Sequence, residues 1–242
     1  MGERHRGSSS AAGRAAWLYE LRRENERQED ATDTANEPYW HETDDAHRVY
    51  VDRLLSMLQP GGSVLDAACG IGKHVGAVLA SGRSVTAVDA SAVHLAKTQA
   101  SFSDATIEKH DLQDLPYRDR FDGVMCVDAM EFVPPEDWPS VLERFRDALH
   151  RPGRLYLTVE LVPPEEIRSM NDAARGAGLP VVDGEVMWEA SDGSPGYYHY
   201  YPSLDEVRAW LGGAGFAILD ELEGPWHDDE YAYRHILAQT IA

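Results

Sequence analysis

The sequence predicts an α/β fold: a doubly wound, mostly parallel sheet of seven strands with helices on both faces, a helical N-terminal extension and a late insertion. Three observations predict it. The run Val64-Leu65-Asp66-Ala67-Ala68-Cys69-Gly70-Ile71-Gly72 reads as a strand breaking into a glycine turn. Its apolar positions suit a parallel strand covered on both faces, and its glycines permit turn conformations and close ligand approach. Lys73-His74-Val75-Gly76-Ala77-Val78-Leu79 then resumes with helical apolar spacing, which puts the turn at a helix N-terminus. Beyond it, strand-like runs and amphipathic segments alternate to residue 161, the pattern of a parallel sheet that binds ligands at its strands' carboxyl ends.

Residues 1 to about 13 are small and polar and read as disordered. A helix follows over 14–28, with Trp17, Leu18 and Leu21 on one face. It reads first as an ordinary packed helix, with a substrate lid as the alternative. The acidic stretch 29–37 links it to a helix over 45–58, whose Val49, Leu54, Leu55 and Leu58 share a face and whose stop is Gln59-Pro60-Gly61-Gly62. Strands are predicted near 63–68, 84–88, 105–109, 121–127 and 153–161, and helices near 73–81, 91–101 and 137–149. After Pro163-Pro164 a helix over 165–176 precedes two strand-like runs, 181–190 and 196–201, which read as a hairpin or insertion. A helix over 203–213 and strands near 216–223 and 231–240 complete the sheet. The chain divides into a disordered start plus helical extension, 1–36, and one domain, 37–242, with a substrate-side insertion over 164–202.

A chain of 242 residues, 43% of them hydrophobic, suffices for one sizeable core. Acids outnumber bases 42 to 22, for a net charge of −20, which opposes a nucleic-acid partner and favours solubility. Two cysteines are too few for a disulfide framework and fit a reducing cytoplasm. The first ten residues lack the apolar core of a signal peptide, and no segment approaches the roughly 20 apolar residues of a membrane span. The expectation is a cytoplasmic protein with no membrane partner. The sequence leaves a homodimer open.

The glycine turn carries the first chemical signal. Dinucleotide sites use G-x-G-x-x-G to set a pyrophosphate on a helix N-terminus. Here the glycines fall at 70, 72 and 76. A carboxylate at Asp66 would also repel a pyrophosphate, whereas it can pair with an ammonium group. Asp89, closing the strand Ser84-Val85-Thr86-Ala87-Val88, can accept both hydroxyls of a ribose. Asp111, after the strand near 105–109, can accept a hydrogen bond from an adenine amino group. One cationic nucleoside ligand satisfies all three acids, although each also reads as a strand-end cap.

These residues resemble the class I S-adenosylmethionine-dependent methyltransferases, a Rossmann-like family. The likeness runs through Val64 to Gly72, Val88-Asp89-Ala90-Ser91, His110-Asp111-Leu112-Gln113-Asp114-Leu115-Pro116, Phe121-Asp122-Gly123-Val124-Met125-Cys126-Val127-Asp128 and Leu149-His150-Arg151-Pro152-Gly153-Arg154-Leu155. It is strong over 39–161, where the cofactor half is similar to that of glycine and sarcosine N-methyltransferases, and weak elsewhere. The resemblance implies S-adenosylmethionine as cofactor. Asp66 would hold its ammonium directly or through water, backbone groups at Ala67, Gly70 and Val127 would shape the methionine channel, and Gly72 would be a further cofactor-binding position. Asp89 would hold the ribose, and Asp111 and the Leu112 N–H the adenine, with Ala90 and His94 beside it. Arg48 or His47 would meet the methionine carboxylate, and Tyr39 and Trp40 would close over the sulfonium.

For catalysis the family's histidine after the fourth strand is missing: Phe132 stands in its place within Asp128-Ala129-Met130-Glu131-Phe132-Val133-Pro134-Pro135. Glu131 and His199 are the catalytic candidates, the latter within Gly196-Tyr197-Tyr198-His199-Tyr200-Tyr201-Pro202. Met130, Tyr197, Tyr200 and Trp226 are expected to contact the substrate. The spacing of His227-Asp228-Asp229 and His235 matches no strong metal signature, so no metal is expected. The expected function is methyl transfer to O or N of a small-molecule acceptor, with an aromatic natural product among the options. The rival is a protein of the same fold with non-methylating chemistry or a scaffold role. A nicotinamide oxidoreductase is disfavoured by Asp66 and the glycine spacing.

Overall fold

The structure is a computed structural model that describes residues 11–31, 45–188, 197–226 and 231–241. Helix α1 (Ala11–Ala31) precedes α2 (Asp45–Ser56), β1 (Ser63–Ala67), α3 (Val75–Ala80), β2 (Ser84–Asp89), α4 (Ala92–Ser101) and β3 (Thr106–Lys109). Then come β4 (Phe121–Cys126), α5 (Trp138–Ala148), β5 (Leu149–Leu161) and α6 (Pro164–Gly176). The chain closes with β6 (Glu185–Met187), β7 (Tyr198–Tyr200), α7 (Leu204–Gly213), β8 (Phe216–Trp226) and β9 (Tyr231–Thr240).

Seven strands form one sheet in the order β3-β2-β1-β4-β5-β9-β8. The first five are parallel; β9 runs antiparallel to β5, and β8 antiparallel to β9. Strand order reverses on either side of β1, so the crevice beyond the carboxyl ends of β1, β2 and β4 is where such a sheet takes its ligand. Both faces are covered. On one, α5 and α7 press Trp138, Phe145 and Leu211 onto Leu65, Val124 and Leu155. On the other, α2 and α3 set Tyr50, Leu54 and Val78 against Val64, Met125 and Tyr156. That double burial explains why the middles of β1 and β4, Val64-Leu65 and Val124-Met125-Cys126, are apolar on both faces.

Two boundaries differ from expectation. Strand β5 starts at Leu149 rather than near 153, because Leu149 pairs with Phe121 across a register shift in β4. The run expected over 181–190 narrows to β6, which pairs antiparallel with β7 as a separate two-stranded unit. The preceding backbone is held otherwise: the Asn171 amide on α6 donates to the carbonyls of Val182 and Glu185, both at 2.6 Å.

Helix α1 lies over the carboxyl edge of the sheet and is fixed mainly by charged contacts. Arg14 makes a bidentate pair with Glu185, whose side chain is fully buried, at 2.7 and 2.9 Å. Arg22 pairs with Asp111 at 2.6 Å and with Asp114, and Asp30 accepts the Ser91 hydroxyl at 2.7 Å. The helix therefore touches both the loops after β2 and β3 and the β6–β7 unit. Among the described residues no helix is long and apolar enough to cross a membrane.

Candidate active site

The turn after β1 separates its glycines by task. Ala68 (φ +64°), Gly70 (φ +52°) and Gly72 (φ +86°) all adopt the left-handed region. A Cβ on Gly70 would meet nothing within 4 Å, and Gly70 lines a cavity. A Cβ on Gly72 would come within 2.9 Å of Thr98 Cγ2 and 3.0 Å of Phe102, so Gly72 lets the turn pack on α4. Gly70 is thus open to a ligand, and Gly72 is structural.

Asp89 ties the loops after β1 and β2 together. Its Oδ2 accepts the Gly70 N–H at 2.9 Å, and its Oδ1 accepts the Ser91 N–H at 2.8 Å. Each oxygen keeps a further lone pair. Burial raises its pKa, while these two N–H bonds act the other way. Asp66 lies deeper, 2% exposed, and its Oδ2 has no hydrogen-bond partner among the described residues. Burial, with the Asp89 charge adding, pushes its carboxyl up to about 7. Asp111 caps the 3₁₀ turn Leu112–Asp114 through the Gln113 N–H at 3.1 Å and keeps Arg22 on its other oxygen.

The cavity has a volume of about 650 Å³, within the range of small-molecule and cofactor sites. One wall is α1, through Leu18, Arg22 and Glu29; another is Gly70, Asp89, Ala90, His94, Asp111 and Leu112. Asp128, Ala129 and Phe132 form its far end. Burial, reinforced by the Asp89 and Asp30 charges, pushes Glu29 up to about 7. His94 is buried, and burial lowers its pKa against the opposing Asp89 charge.

At the far end, Asp128 sits at φ +52°, uncommon for a non-glycine residue. Its N–H donates to Thr158 Oγ1 at 2.7 Å, and its Oδ1 meets His47 Nε2 at 2.8 Å. Burial alone would raise its pKa; the charge and hydrogen bond of His47 outweigh that and hold it below the ordinary carboxylate range. Glu131, in the 3₁₀ turn Met130–Phe132, is 6% exposed, and its Oε2 has no hydrogen-bond partner among the described residues. Burial and the charges of Glu160 and Asp128 raise its pKa well above normal. Glu160, near the end of β5, is also buried. His199 Nδ1 is 2.7 Å from Tyr201 Oη and 3.5 Å from Glu160 Oε2, and the Trp188 indole N–H donates to Tyr201 Oη at 2.9 Å. Phe132, which lines the cavity, meets His199 edge-on at 4.8 Å between centroids, whereas Glu131 and His199 are not themselves among the lining residues.

Residues 64–153 match the family model described as a methyltransferase domain. A 24-methylenesterol C-methyltransferase 2 from Oryza sativa subsp. japonica is 28% identical over 198 residues. That alignment takes in 74% of this chain but 48% of the rice protein, so the chain spans about half its relative's length. A SAM-dependent methyltransferase from Methanosarcina mazei superposes with a TM-score of 0.68 at 17% identity, over 83% of this chain and 99% of that one. The 1,6-didemethyltoxoflavin-N1-methyltransferase of Burkholderia thailandensis, bound to 1,6-didemethyltoxoflavin and S-adenosylhomocysteine, gives 0.63 at 17% identity, over 100% and 94%. Over residues 64–153 the chain is similar to a methyltransferase domain, and its fold is similar to that of the solved methyltransferases on which it superposes.

The chemistry of the cavity suits S-adenosylmethionine: the bare face of Gly70 leaves room at the loop and Asp89 keeps acceptor capacity, while the Asp66 carboxylate, whose Oδ2 has no hydrogen-bond partner among the described residues, is buried behind the lining. Of the expected cofactor residues, Gly70, Asp89, Ala90, His94, Asp111 and Leu112 line the cavity and Asp66 does not. Ala67 and Val127 are instead buried in the two cores; their neighbours Ala68 and Asp128 face the cavity.

Four expectations are corrected. Arg48 is exposed on α2 and does not line the cavity, because the helix turns His47 inward in its place. Gly72 serves packing. Met130 is fully buried in the core beneath the 3₁₀ turn. Tyr200 packs on Trp138 and Trp210, both with ring centroids at 6.5 Å, because alternate residues of a strand face opposite ways. The same alternation gives Tyr197 and His199 to Phe132, with the Tyr197 ring 6.4 Å away. Tyr39 and the side chain of Trp226 lie outside the described residues. The sequence reading missed Glu160, Glu29 and Arg22. Glu160 had a signal, an acid at a strand's carboxyl end; the α1 residues had none, since their alignment over the cavity depends on tertiary contacts. Among the described residues no group of His, Cys, Asp and Glu is placed to hold a metal.

Proposed function

We propose that this chain transfers a methyl group from S-adenosylmethionine to O or N of a small-molecule acceptor, held between α1 and the β6–β7 unit. The observation that carries this reading is one cavity lined by the Asp89-braced glycine turn and, farther on, by Asp128 and by Phe132, whose ring packs against His199. The cofactor supplies an electrophilic methyl on a sulfonium. Asp66 offers a buried anion to the methionine ammonium, Asp89 accepts from the ribose hydroxyls, and Asp111 and the Leu112 N–H border the adenine. Asp128, fixed by His47 and Thr158, is a further anion where the methionine end meets the acceptor. Much of the rate gain is positioning. Glu131 and His199 are the groups able to take a proton from the acceptor. The net charge of −20 favours a small molecule over a nucleic acid, and two buried free cysteines favour a reducing, cytoplasmic setting. A homodimer belongs to the same reading and is checked by light scattering.

The relatives' names span a sterol carbon and a ring nitrogen, so the acceptor atom is a matter for assay. Titration calorimetry with S-adenosylmethionine, S-adenosylhomocysteine and NADH tests the reading. Binding of the two adenosyl-sulfur ligands without NADH, followed by acceptor-dependent formation of S-adenosylhomocysteine, is the expected result. Binding without turnover on any acceptor favours the scaffold alternative, and no binding ends the methyltransferase reading.

A further inference from the structure

Three of the charged side chains that helix α1 contributes to the cavity wall have partners. Arg14 is held by Glu136 and Glu185, Arg22 by Asp111 and Asp114, and Glu26 accepts from Lys109 Nζ at 2.6 Å. Asn25 lines the same cavity, and its amide oxygen differs. That Oδ1 is shielded from solvent and has no hydrogen-bond partner among the described residues. A buried amide oxygen left unpaired costs free energy, which a ligand carrying an N–H or O–H donor recovers.

The helix fixes where this amide stands. Arg22, three residues earlier, and Glu29, four residues later, share a face with Asn25. Arg22 Nε donates to Asp111 Oδ2 at 2.6 Å, after β3, while Glu29 Oε2 comes within 3.8 Å of His94 Nδ1 on α4. Next to Glu29, Asp30 Oδ1 accepts the Ser91 hydroxyl at 2.7 Å, after β2. Asn25 therefore lies between two anchors of α1, about 4.5 Å along the axis from Arg22 and about 6 Å from Glu29. The anchored loops carry Asp111, Leu112, Ala90 and His94, the wall that the methyltransferase reading gives to adenine.

Adenine presents two edges. On one, N6–H and N1 need an acceptor and a donor, the roles given to Asp111 and to the Leu112 N–H. On the other, the second N6–H is a donor and N7 an acceptor, and a side-chain amide pairs with both at once. A carboxylate or a guanidinium matches only one of them. Resting on the methyltransferase reading above, we infer that Asn25 reads the adenine of S-adenosylmethionine: its Oδ1 accepts the N6–H turned away from Asp111, and its Nδ2–H donates to N7. Asn25 thereby makes the site selective against a base that lacks N7.

The test is titration calorimetry of the full chain with S-adenosylhomocysteine and with its 7-deaza and 1-deaza analogues, in which a C–H replaces N7 or N1. Affinity of the wild-type chain for S-adenosylhomocysteine is measured first. That chain is expected to bind S-adenosylhomocysteine about fivefold more tightly than the 7-deaza analogue, the worth of one hydrogen bond between neutral groups. Asn25→Ala, a change favourable to a helix, is expected to weaken S-adenosylhomocysteine about fivefold or more. It should also bring the 7-deaza analogue within twofold of S-adenosylhomocysteine, while the 1-deaza penalty stays as in the wild type. Asn25→Asp removes the donor to N7 and keeps an acceptor, so with it the 7-deaza analogue is expected to bind at least as tightly as S-adenosylhomocysteine. A wild-type chain that does not distinguish N7 from C–H overturns the inference. So does an Asn25→Ala variant that keeps the 7-deaza penalty, which would assign the amide to the ribose or to α1 alone. Both results leave the cofactor reading standing. If the wild-type chain binds no S-adenosylhomocysteine, the methyltransferase reading falls and the inference falls with it.

Discussion

Asp89 braces two loops and, in the proposed function, also holds the ribose. It was legible in the sequence as a strand-end acid beside a glycine turn, but its bonds to the Gly70 and Ser91 N–H groups were not, since they require β1 and β2 to be adjacent. Asp89→Ala removes the ribose acceptor and leaves two loop N–H groups unbraced. A cofactor affinity at least tenfold weaker is expected, because a charged hydrogen bond is worth about 1.5–3 kcal/mol; unchanged calorimetric affinity in a folded variant would take Asp89 out of the site. Asp66 and Glu29 carry a pH prediction. Both are pushed up to about 7, above their values in an unfolded chain, so both favour the folded state fully at low pH. That contribution is lost as pH rises from about 4 through about 7. A bound cation reverses the sense by favouring the ionised forms. The thermal shift produced by S-adenosylmethionine should therefore be larger at pH 8 than at pH 5.5, and an equal shift would show that neither acid faces the cofactor.

Among the elements, the alternation of strands and helices from β1 to β5 was readable because buried parallel strands are apolar throughout and their turns carry glycine or acid. Helix α1 was legible as a helix, read first as ordinary packing with a substrate lid as the alternative, but the contacts that fix it were not legible. Its apolar residues Trp17, Leu18 and Leu21 suggested ordinary packing, whereas its orientation is set by Arg14, Arg22 and Asp30, whose partners lie 61 to 171 residues away. Spacing along one helix cannot reveal such partners. The tyrosine-rich run around His199 was recognised, yet the two faces of β7 were assigned only when β6 paired with it and took Tyr198 to Glu185. Arg14→Ala leaves the fully buried Glu185 with the Tyr198 hydroxyl and the Val182 N–H but no cation. A loss of about 3 kcal/mol in denaturant unfolding is expected, with Arg14→Lys recovering part of it. A loss below about 0.5 kcal/mol, the size of an ordinary surface change, would mean that the pair contributes little to holding α1.

Taken across the whole molecule, the sheet gathers acids at one edge. Each of the five parallel strands carries one in or just beyond its carboxyl end: Asp66 on β1, Asp89 on β2, Asp111 after β3, Asp128 after β4 and Glu160 on β5. With a chain charge of −20, these acids share a field that draws cations toward the cavity, and low-dielectric walls strengthen it. The two adenosyl-sulfur ligands separate this effect from shape recognition. They share adenosine, carboxylate and ammonium, and differ by a methyl group and the sulfonium charge. Salt screens charges over about 10 Å at 0.1 M and about 3 Å at 1 M, while leaving hydrogen bonds to ribose and adenine largely alone. Raising sodium chloride from 20 mM to 500 mM should therefore weaken S-adenosylmethionine binding by about threefold more than S-adenosylhomocysteine binding. Equal salt dependence would show that the strand-end acids act only through direct contacts. A greater loss for S-adenosylhomocysteine would contradict the sign of the field.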